Sequence, residues 1–348
     1  MNKVKRQKVK GKIKEVFVCR FMIEKIAVIL AAGQSRRMNT KLPKVLHEVC
    51  GRPMLEYVID ACRGAGVEKI VVVVGYGGGQ IIEHYSAQKD LVFVEQPQQC
   101  GTGHAVMCCR AELSGHTGLT LVLCGDAPLI RTATLSTLIE KHQQEMSAVT
   151  LATAVMADPT GYGRIVRDTW GNIQGIVEHN DCDTKQLQIQ EINPGYFCFS
   201  NPLLLEALDK IQPNNRKNEY YLTDALHILI AAGHKATAIT AVPEEDALGV
   251  NSRYQLSVVG KIMQQRIQQQ LMSEGVTIVD PPNTWIDVRA QIGQDTVIEP
   301  FTCIYGIVTI GANCRVGPFA YLRDGTVLGN EVCPGAFTEL PDTKGGQA

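Results

Sequence analysis

From Ile26 to about Val242, short apolar runs alternate with amphipathic stretches. Ile26–Leu30, Ile70–Val74, Val92–Glu95 and Leu119–Cys124 are short and apolar, and read as buried strands. Between them, Met54–Arg63 and His104–Leu113 carry apolar residues at helical spacing. The alternation predicts an α/β fold, a Rossmann-like domain with a mainly parallel sheet covered on both faces. Ligands of such sheets lie beyond the carboxyl ends of the strands. Tyr254–Glu274 reads as a Gln-rich connecting helix, after which the period changes. Ile286, Ile292, Ile298, Ile304, Ile310, Val316, Leu322 and Leu328 recur every six residues. Small or turn-forming residues often follow, as at Gly293, Pro300, Gly306, Gly311, Gly317 and Gly329. One six-residue phase kept by so many aliphatics predicts a parallel β-helix rather than an ordinary sandwich. The expected organisation is a basic extension (1–22), the α/β domain (23–253), a connecting helix (254–275), the β-helix (276–338) and a tail (339–348).

With 348 residues the chain can bury a large core and form two domains. Its 45% hydrophobic and 20% charged residues place it among globular proteins, and no apolar stretch reaches membrane-spanning length. Charge is unevenly placed. Residues 1–14 hold seven Lys or Arg and no acid, whereas 26 basic and 34 acidic residues lie from Met22 onward, a formal charge of −8. That acidic body, without a basic–aromatic stripe, argues against nucleic acid as a partner, and nothing argues for a membrane. The basic head reads as a disordered tail or an upstream start, with Met22 as the alternative first residue; binding of nucleic acid or a membrane surface is its other reading. Val16–Met22 is too short and, broken by Arg20, too polar for a signal peptide. The twelve cysteines form neither a C-x-x-C pair nor zinc spacing, and read as reduced, mostly buried thiols of a cytoplasmic protein.

Candidate chemistry gathers where strands end. Leu30-Ala-Ala-Gly-Gln-Ser-Arg-Arg-Met38 joins a strand to a small-residue turn (Ala31, Ala32, Gly33), and the cations Arg36, Arg37 and Lys44 follow. A backbone that a ligand can approach closely, next to clustered cations, suits a phosphate chain. The other reading is a plain strand-to-helix turn with solvated basic residues. Neither G-x-G-x-x-G nor G-x-x-x-x-G-K-[ST] is present, which disfavours a dehydrogenase. After the third strand, Gln96 and Gln99 each offer an amide donor and acceptor, the pairing a pyrimidine edge needs; Gly101 and Gly103 allow close approach and Thr102 adds a hydroxyl. A polar loop capping the next helix is the alternative. Leu121-Val-Leu-Cys-Gly-Asp126 delivers a carboxylate to a strand end, suited to Mg²⁺ beside phosphates, or else to a turn that bonds its own backbone. Asn251 could add a second oxygen ligand.

These segments resemble nucleoside-diphosphate-sugar pyrophosphorylases. Gly161-Tyr-Gly-Arg-Ile165, Gly175-Ile-Val-Glu178, Glu191-Ile-Asn-Pro-Gly-Tyr196 and Glu219-Tyr-Tyr-Leu-Thr-Asp224 match that family in order, with Pro194 where it more often has threonine. The resemblance, over residues 24–338, is to the bifunctional N-acetylglucosamine-1-phosphate uridylyltransferase/glucosamine-1-phosphate acetyltransferase family. It implies a nucleotidyltransferase domain followed by a short left-handed β-helix. The implied activity joins UTP to N-acetylglucosamine 1-phosphate, giving UDP-N-acetylglucosamine and pyrophosphate. The resemblance makes Arg37 and Lys44 the triphosphate cations and Asp126 and Asn251 the Mg²⁺ ligands. Leu30, Ala32, Gly33, Lys44, Gln96, Gln99, Gly101 and Thr102 would hold the nucleotide; Gly163, Glu178, Asn193, Tyr221 and Thr223 would form the sugar-phosphate pocket. In that family acetyl transfer occurs between the helices of a trimer. Here the hexads end after about Leu328, and Leu340-Pro-Asp stands where the family carries a lysine, so no acetyl transfer is expected and a homotrimer stays open. A uridylyltransferase for another sugar 1-phosphate, or a UTP sensor without turnover, are the alternatives.

Overall fold

The computed structural model describes residues 24–34 and 36–340, together with the backbone of Arg6–Val9 and Lys12–Glu15. Lys25–Leu30 lies inside a nine-stranded sheet. It pairs in parallel with Leu119–Cys124 on one side and Lys69–Val74 on the other, and Leu91–Glu95 follows as the edge strand. Register sets Leu30 beside both Cys124 and Val73, so these strands stop at one level and their turns open onto one edge. Their near-continuous apolar sequences are what a strand buried on both faces requires.

Past Leu119–Cys124 the pairing reverses. Glu191–Ser200 runs antiparallel to it, followed by Gly163–Arg167 and Ile173–Val177. Val149–Val155 also pairs antiparallel with Glu191–Ser200 and carries Ala236–Thr240 in parallel outside it. The expected parallel order holds through the half that bears the small-residue turn. The other half is mainly antiparallel, and there the connection from Arg167 to Ile173 is too short for a crossover and makes a hairpin.

Helices Met54–Gly64 and Thr132–Glu145 cover one face of the sheet, and Thr102–Cys108, Asn201–Leu208 and Thr223–Ala231 the other. The single helix expected over His104–Leu113 is two, Thr102–Cys108 and Arg110–Leu113. The break falls at Cys109, whose N–H bonds the Val106 carbonyl in a tightened last turn.

Helix Arg253–Ser273 leads into the hexad region and buries Val259, Met263, Ile267 and Leu271, spaced four apart, against its first coils. The hexads form three parallel sheets in which strands recur every 18 residues, as in Trp285–Ile286, Cys303–Ile304 and Tyr321–Leu322. This is a short left-handed β-helix with its aliphatics inside. It does not stop at Leu328: Glu339–Leu340 pairs with Tyr321–Leu322 one full coil on. The hexad between them falls on Pro334, which has no N–H to give a ladder, and this hid the continuation. Where an unstructured basic head is expected, Arg6–Val9 pairs antiparallel with Lys12–Glu15. The tail from Asp342 lies outside the described residues.

Candidate active site

The turns at the sheet's exit edge converge on one lysine. Asp126 leaves the end of Leu119–Cys124, and its carbonyl accepts the Val250 N–H at 2.9 Å, which brings the neighbouring Asn251 beside it. The start of helix Arg253–Ser273 pins Asn251. Ser252 caps the helix by accepting from the Gln255 N–H, while the Gln255 side chain accepts the Asn251 N–H at 2.8 Å. Ser-x-x-Gln in the sequence signals such a helix start, although the reciprocal bond of a capping box falls here on Asn251, one residue before the cap. Lys44, in the one-turn segment Lys44–Leu46, donates to Asp126 Oδ2 and to Asn251 Oδ1, the latter at 3.0 Å. Carboxylate and amide oxygen thus meet on a single positive charge.

The loop after Leu91–Glu95 is tied back onto the small-residue turn. Gln99 Nε2 donates to the Ala32 carbonyl at 2.8 Å and its Oε1 accepts from the Gln34 N–H at 3.4 Å. Gln99 therefore bonds the backbone of 32–34 through both ends of its amide, using one of its two N–H donors and one of its two acceptor lone pairs. Gln96 differs. Its Nε2 donates to the Gly101 carbonyl at 3.0 Å and approaches His104 Nδ1 at 3.1 Å, leaving Oε1 without a partner among the described residues. Gly101 sits at φ +107°, and a Cβ there would stand 2.5 Å from the Tyr220 carbonyl. Only glycine lets these segments touch. The Thr102 hydroxyl accepts the Leu222 N–H at 3.0 Å.

Leu30, Ala32, Gly33, Lys44, Gln96, Gln99, Gly101, Thr102, Asp126, Glu178 and Tyr221 line one cavity of about 440 Å³. An adjoining cavity of about 300 Å³ is lined by Arg37, Gly163, Asn193, Thr223 and Asn251, and shares Leu30, Thr102, Cys124, Asp126 and Glu178 with the first. All sixteen residues picked out from the sequence thus lie on two connected hollows. Arg37 is exposed and lies on the second, away from the small-residue turn. Glu178 follows Ile173–Val177, is pushed up from the usual carboxyl range by burial, and accepts from the Thr223 hydroxyl at 3.3 Å. Asn193 lies in the register shift between Ile192 and Tyr196, where its Oδ1 accepts the Gly195 N–H at 2.9 Å. Pro194 at the bulge costs no ladder bond.

Cys124 stands between the two cavities. Burial, with Asp126 adding to it, pushes its thiol up to about 12, so it is protonated at neutral pH and offers no nucleophile. Among the described residues no group of three or more His, Cys, Asp or Glu is arranged around a metal. His179, Asn180, Lys217 and Glu219 also line the larger cavity. His179 and Asn180 lie in the one-turn 3-10 helix His179–Asp181 and Lys217 and Glu219 in a loop, where no hydrophobic period marks them.

Residues 27–214 match the MobA-like NTP transferase domain, and residues 289–324 match six bacterial transferase hexapeptide repeats. The chain is 41% identical over 351 residues to the bifunctional protein GlmU of Listeria innocua, covering 91% of this chain and 76% of that protein. It is 45% identical to GlmU of Listeria monocytogenes serotype 4b, covering 85% and 64%, and 45% identical to that of Geobacillus thermodenitrificans, covering 87% and 66%. It therefore spans about two thirds to three quarters of the length of these relatives. A crystal structure of UDP-glucose pyrophosphorylase with UDP-glucose shares the fold, with a TM-score of 0.57 at 20% identity, covering 70% of this chain and all of that one. With a nucleotidyltransferase domain, hexapeptide coils and this identity over most of its length, the chain belongs to the GlmU family of nucleotidyltransferases.

Proposed function

We propose that the chain transfers the uridylyl group of UTP to N-acetylglucosamine 1-phosphate, releasing pyrophosphate and UDP-N-acetylglucosamine. The observation that carries this reading is the meeting of Asp126 and Asn251 on Lys44 at the junction of two cavities, one bearing Gln96 and the other Asn193 and Thr223.

The backbone at Leu30, Ala32 and Gly33 cradles the nucleotide. Gln96 Oε1, without a partner among the described residues, accepts the uracil N3–H. Gln99 acts at one remove by holding the turn 32–34 in place. Gly101 and Thr102 close the cradle. Gly163, Glu178, Asn193, Tyr221 and Thr223 receive the sugar through its hydroxyl and acetamido groups.

A sugar-phosphate oxygen attacks the α-phosphorus, the bond to the β-phosphate oxygen breaks, and pyrophosphate leaves. This chemistry needs alignment and charge neutralisation more than a covalent partner. Arg37 and Lys44 offset the charge that grows on pyrophosphate. Asp126 and Asn251 supply the all-oxygen donor set that suits Mg²⁺, with phosphate oxygens and water completing its shell. Lys44 is the positive charge that this oxygen pair already gathers. Bound there, the metal ion would supply charge neutralisation and orientation of the phosphate oxygens.

Asp126→Ala is expected to lower Mg²⁺-dependent pyrophosphate release by about 100-fold or more, read by a coupled pyrophosphate assay. A rate near that of the wild type would end the assignment. The same assay with UTP, CTP, dTTP and GTP against N-acetylglucosamine, glucose and galactosamine 1-phosphates tests the substrate pair.

A further inference from the structure

Two hydrogen bonds fix which way the Gln96 amide faces. Gln96 is 5% exposed and lines the larger cavity. Its backbone N–H is bonded to the Val74 carbonyl at 2.8 Å, so only the side chain is free to turn. Nε2 lies 3.0 Å from the Gly101 carbonyl and 3.1 Å from His104 Nδ1. A carbonyl oxygen only accepts, so the amide atom facing Gly101 is the NH2 group. That group carries two hydrogens, and the second falls to His104 Nδ1. To receive it, Nδ1 bears no proton, and the ring is neutral with its hydrogen on Nε2.

The ring is held where this bond needs it. His104 is half-buried in the first turn of helix Thr102–Cys108, with its ring centroid 6.2 Å from that of Tyr220. The Tyr220 N–H bonds the Cys100 carbonyl and the Gly103 N–H bonds the Tyr220 carbonyl, both at 2.8 Å, so the two segments are joined on either side of Gly101. A reversed Gln96 amide would set Oε1 against two acceptors, the Gly101 carbonyl and His104 Nδ1, and lose both bonds.

We propose that His104 is a positioning residue that sets base specificity: by accepting the second Gln96 amide hydrogen it keeps Oε1 as the acceptor offered to the base, which selects a pyrimidine bearing N3–H. The proposal rests on the uridylyl-transfer reading above, in which Gln96 Oε1 meets uracil. Cytosine presents a lone pair at N3 and would need the reversed amide. Gly101 opposes that reversal through its backbone, and His104 does so through a side chain that substitution can remove.

The test is the ratio of the inhibition constant of CTP to the KM for UTP, from initial rates of pyrophosphate release by the full chain with Mg²⁺ and N-acetylglucosamine 1-phosphate. His104→Leu removes the acceptor. His104→Gln carries its amide out to the Nε2 position and also leaves the Nδ1 position empty, so it serves where His104→Leu fails to fold. His104→Asn puts an amide oxygen where Nδ1 stands. His104→Leu and His104→Gln are expected to lower the ratio about five-fold, the worth of one neutral hydrogen bond. The KM for the sugar phosphate holds, and His104→Asn keeps the wild-type ratio. In a Gln96→Leu background, His104→Leu changes the ratio no further. An unchanged ratio, CTP that inhibits none of the variants, or His104→Asn falling with the other two overturns the proposal. A wild type that releases no pyrophosphate from UTP with any sugar phosphate overturns the proposed function instead.

Discussion

At the scale of single residues, the sequence marks the chemistry but not the duty of each group. Gln96 and Gln99 look equivalent along the chain, yet Gln99 bonds the backbone of 32–34 through both ends of its amide, while Gln96 Oε1 has no partner among the described residues. Lys44 reads as a phosphate cation and is found on the two oxygens read as metal ligands. Away from the site, His142 shows how burial alone can make one residue a pH sensor of stability. It is 3% exposed, its Nδ1 lies 3.0 Å from the Thr150 hydroxyl, and burial lowers it from 6.5 to about 4. The unfolded chain then takes up this proton first as pH falls. The stabilisation tied to neutral His142 is complete above about pH 6.5 and is lost on the way down to about 4, reaching about 3 kcal/mol. Thermal unfolding at pH 8 and pH 5 should show a drop that His142→Gln reduces.

At the scale of elements, period and length foretell what forms, and partners decide where it ends. The four apolar runs became strands within one residue of the expected bounds; burial leaves little latitude in three of them, and the edge strand Leu91–Glu95 is set by its pairing with Lys69–Val74. Helix Arg253–Ser273 is rich in glutamine, and that polarity has a use. Gln264 Nε2 donates to the Ile286 carbonyl at 2.5 Å and its Oε1 accepts the Ile286 N–H at 3.0 Å, while Gln268 donates to the Thr284 carbonyl at 2.8 Å. The first coil has no preceding coil to satisfy its backbone, and these side chains stand in for it. Gln264→Leu would leave both Ile286 groups buried without partners, costing about 2–4 kcal/mol. The measurement is chemical denaturation; an unchanged midpoint would refute this account of the helix.

At the scale of the molecule, the coil and the α/β domain meet at the short hairpin of Glu48–Val49 and Arg52–Pro53, just after Lys44. The Val288 N–H bonds the Cys50 carbonyl at 3.0 Å, and buried Asp287 pairs with Arg289 while accepting the Gly306 N–H at 3.0 Å. Gly51, at φ +93°, faces that carboxylate: a Cβ there would lie 1.9 Å from Asp287 Oδ2. Gly51→Ala is expected to destabilise the chain by about 2 kcal/mol or more through strain and displacement of Asp287, visible as a lower melting temperature in calorimetry. Among the described residues, no helix is long and apolar enough to cross a membrane.

The sequence by itself marked four strands of the sheet, the hexad coil as far as Leu328 and sixteen of the residues that line the two hollows. Burial writes a period that short-range reading recovers, and strand-end turns carry their chemistry in residue type. Tertiary structure alone decided which strands of the sheet pair antiparallel, that Gln99 bonds the backbone of 32–34, and that Lys217 shares a cavity with Glu178. Those outcomes join residues many positions apart. The free energy that selects them, pairing of buried polar groups and separation of charge in a poorly screening cavity, exists only once the chain has closed on itself.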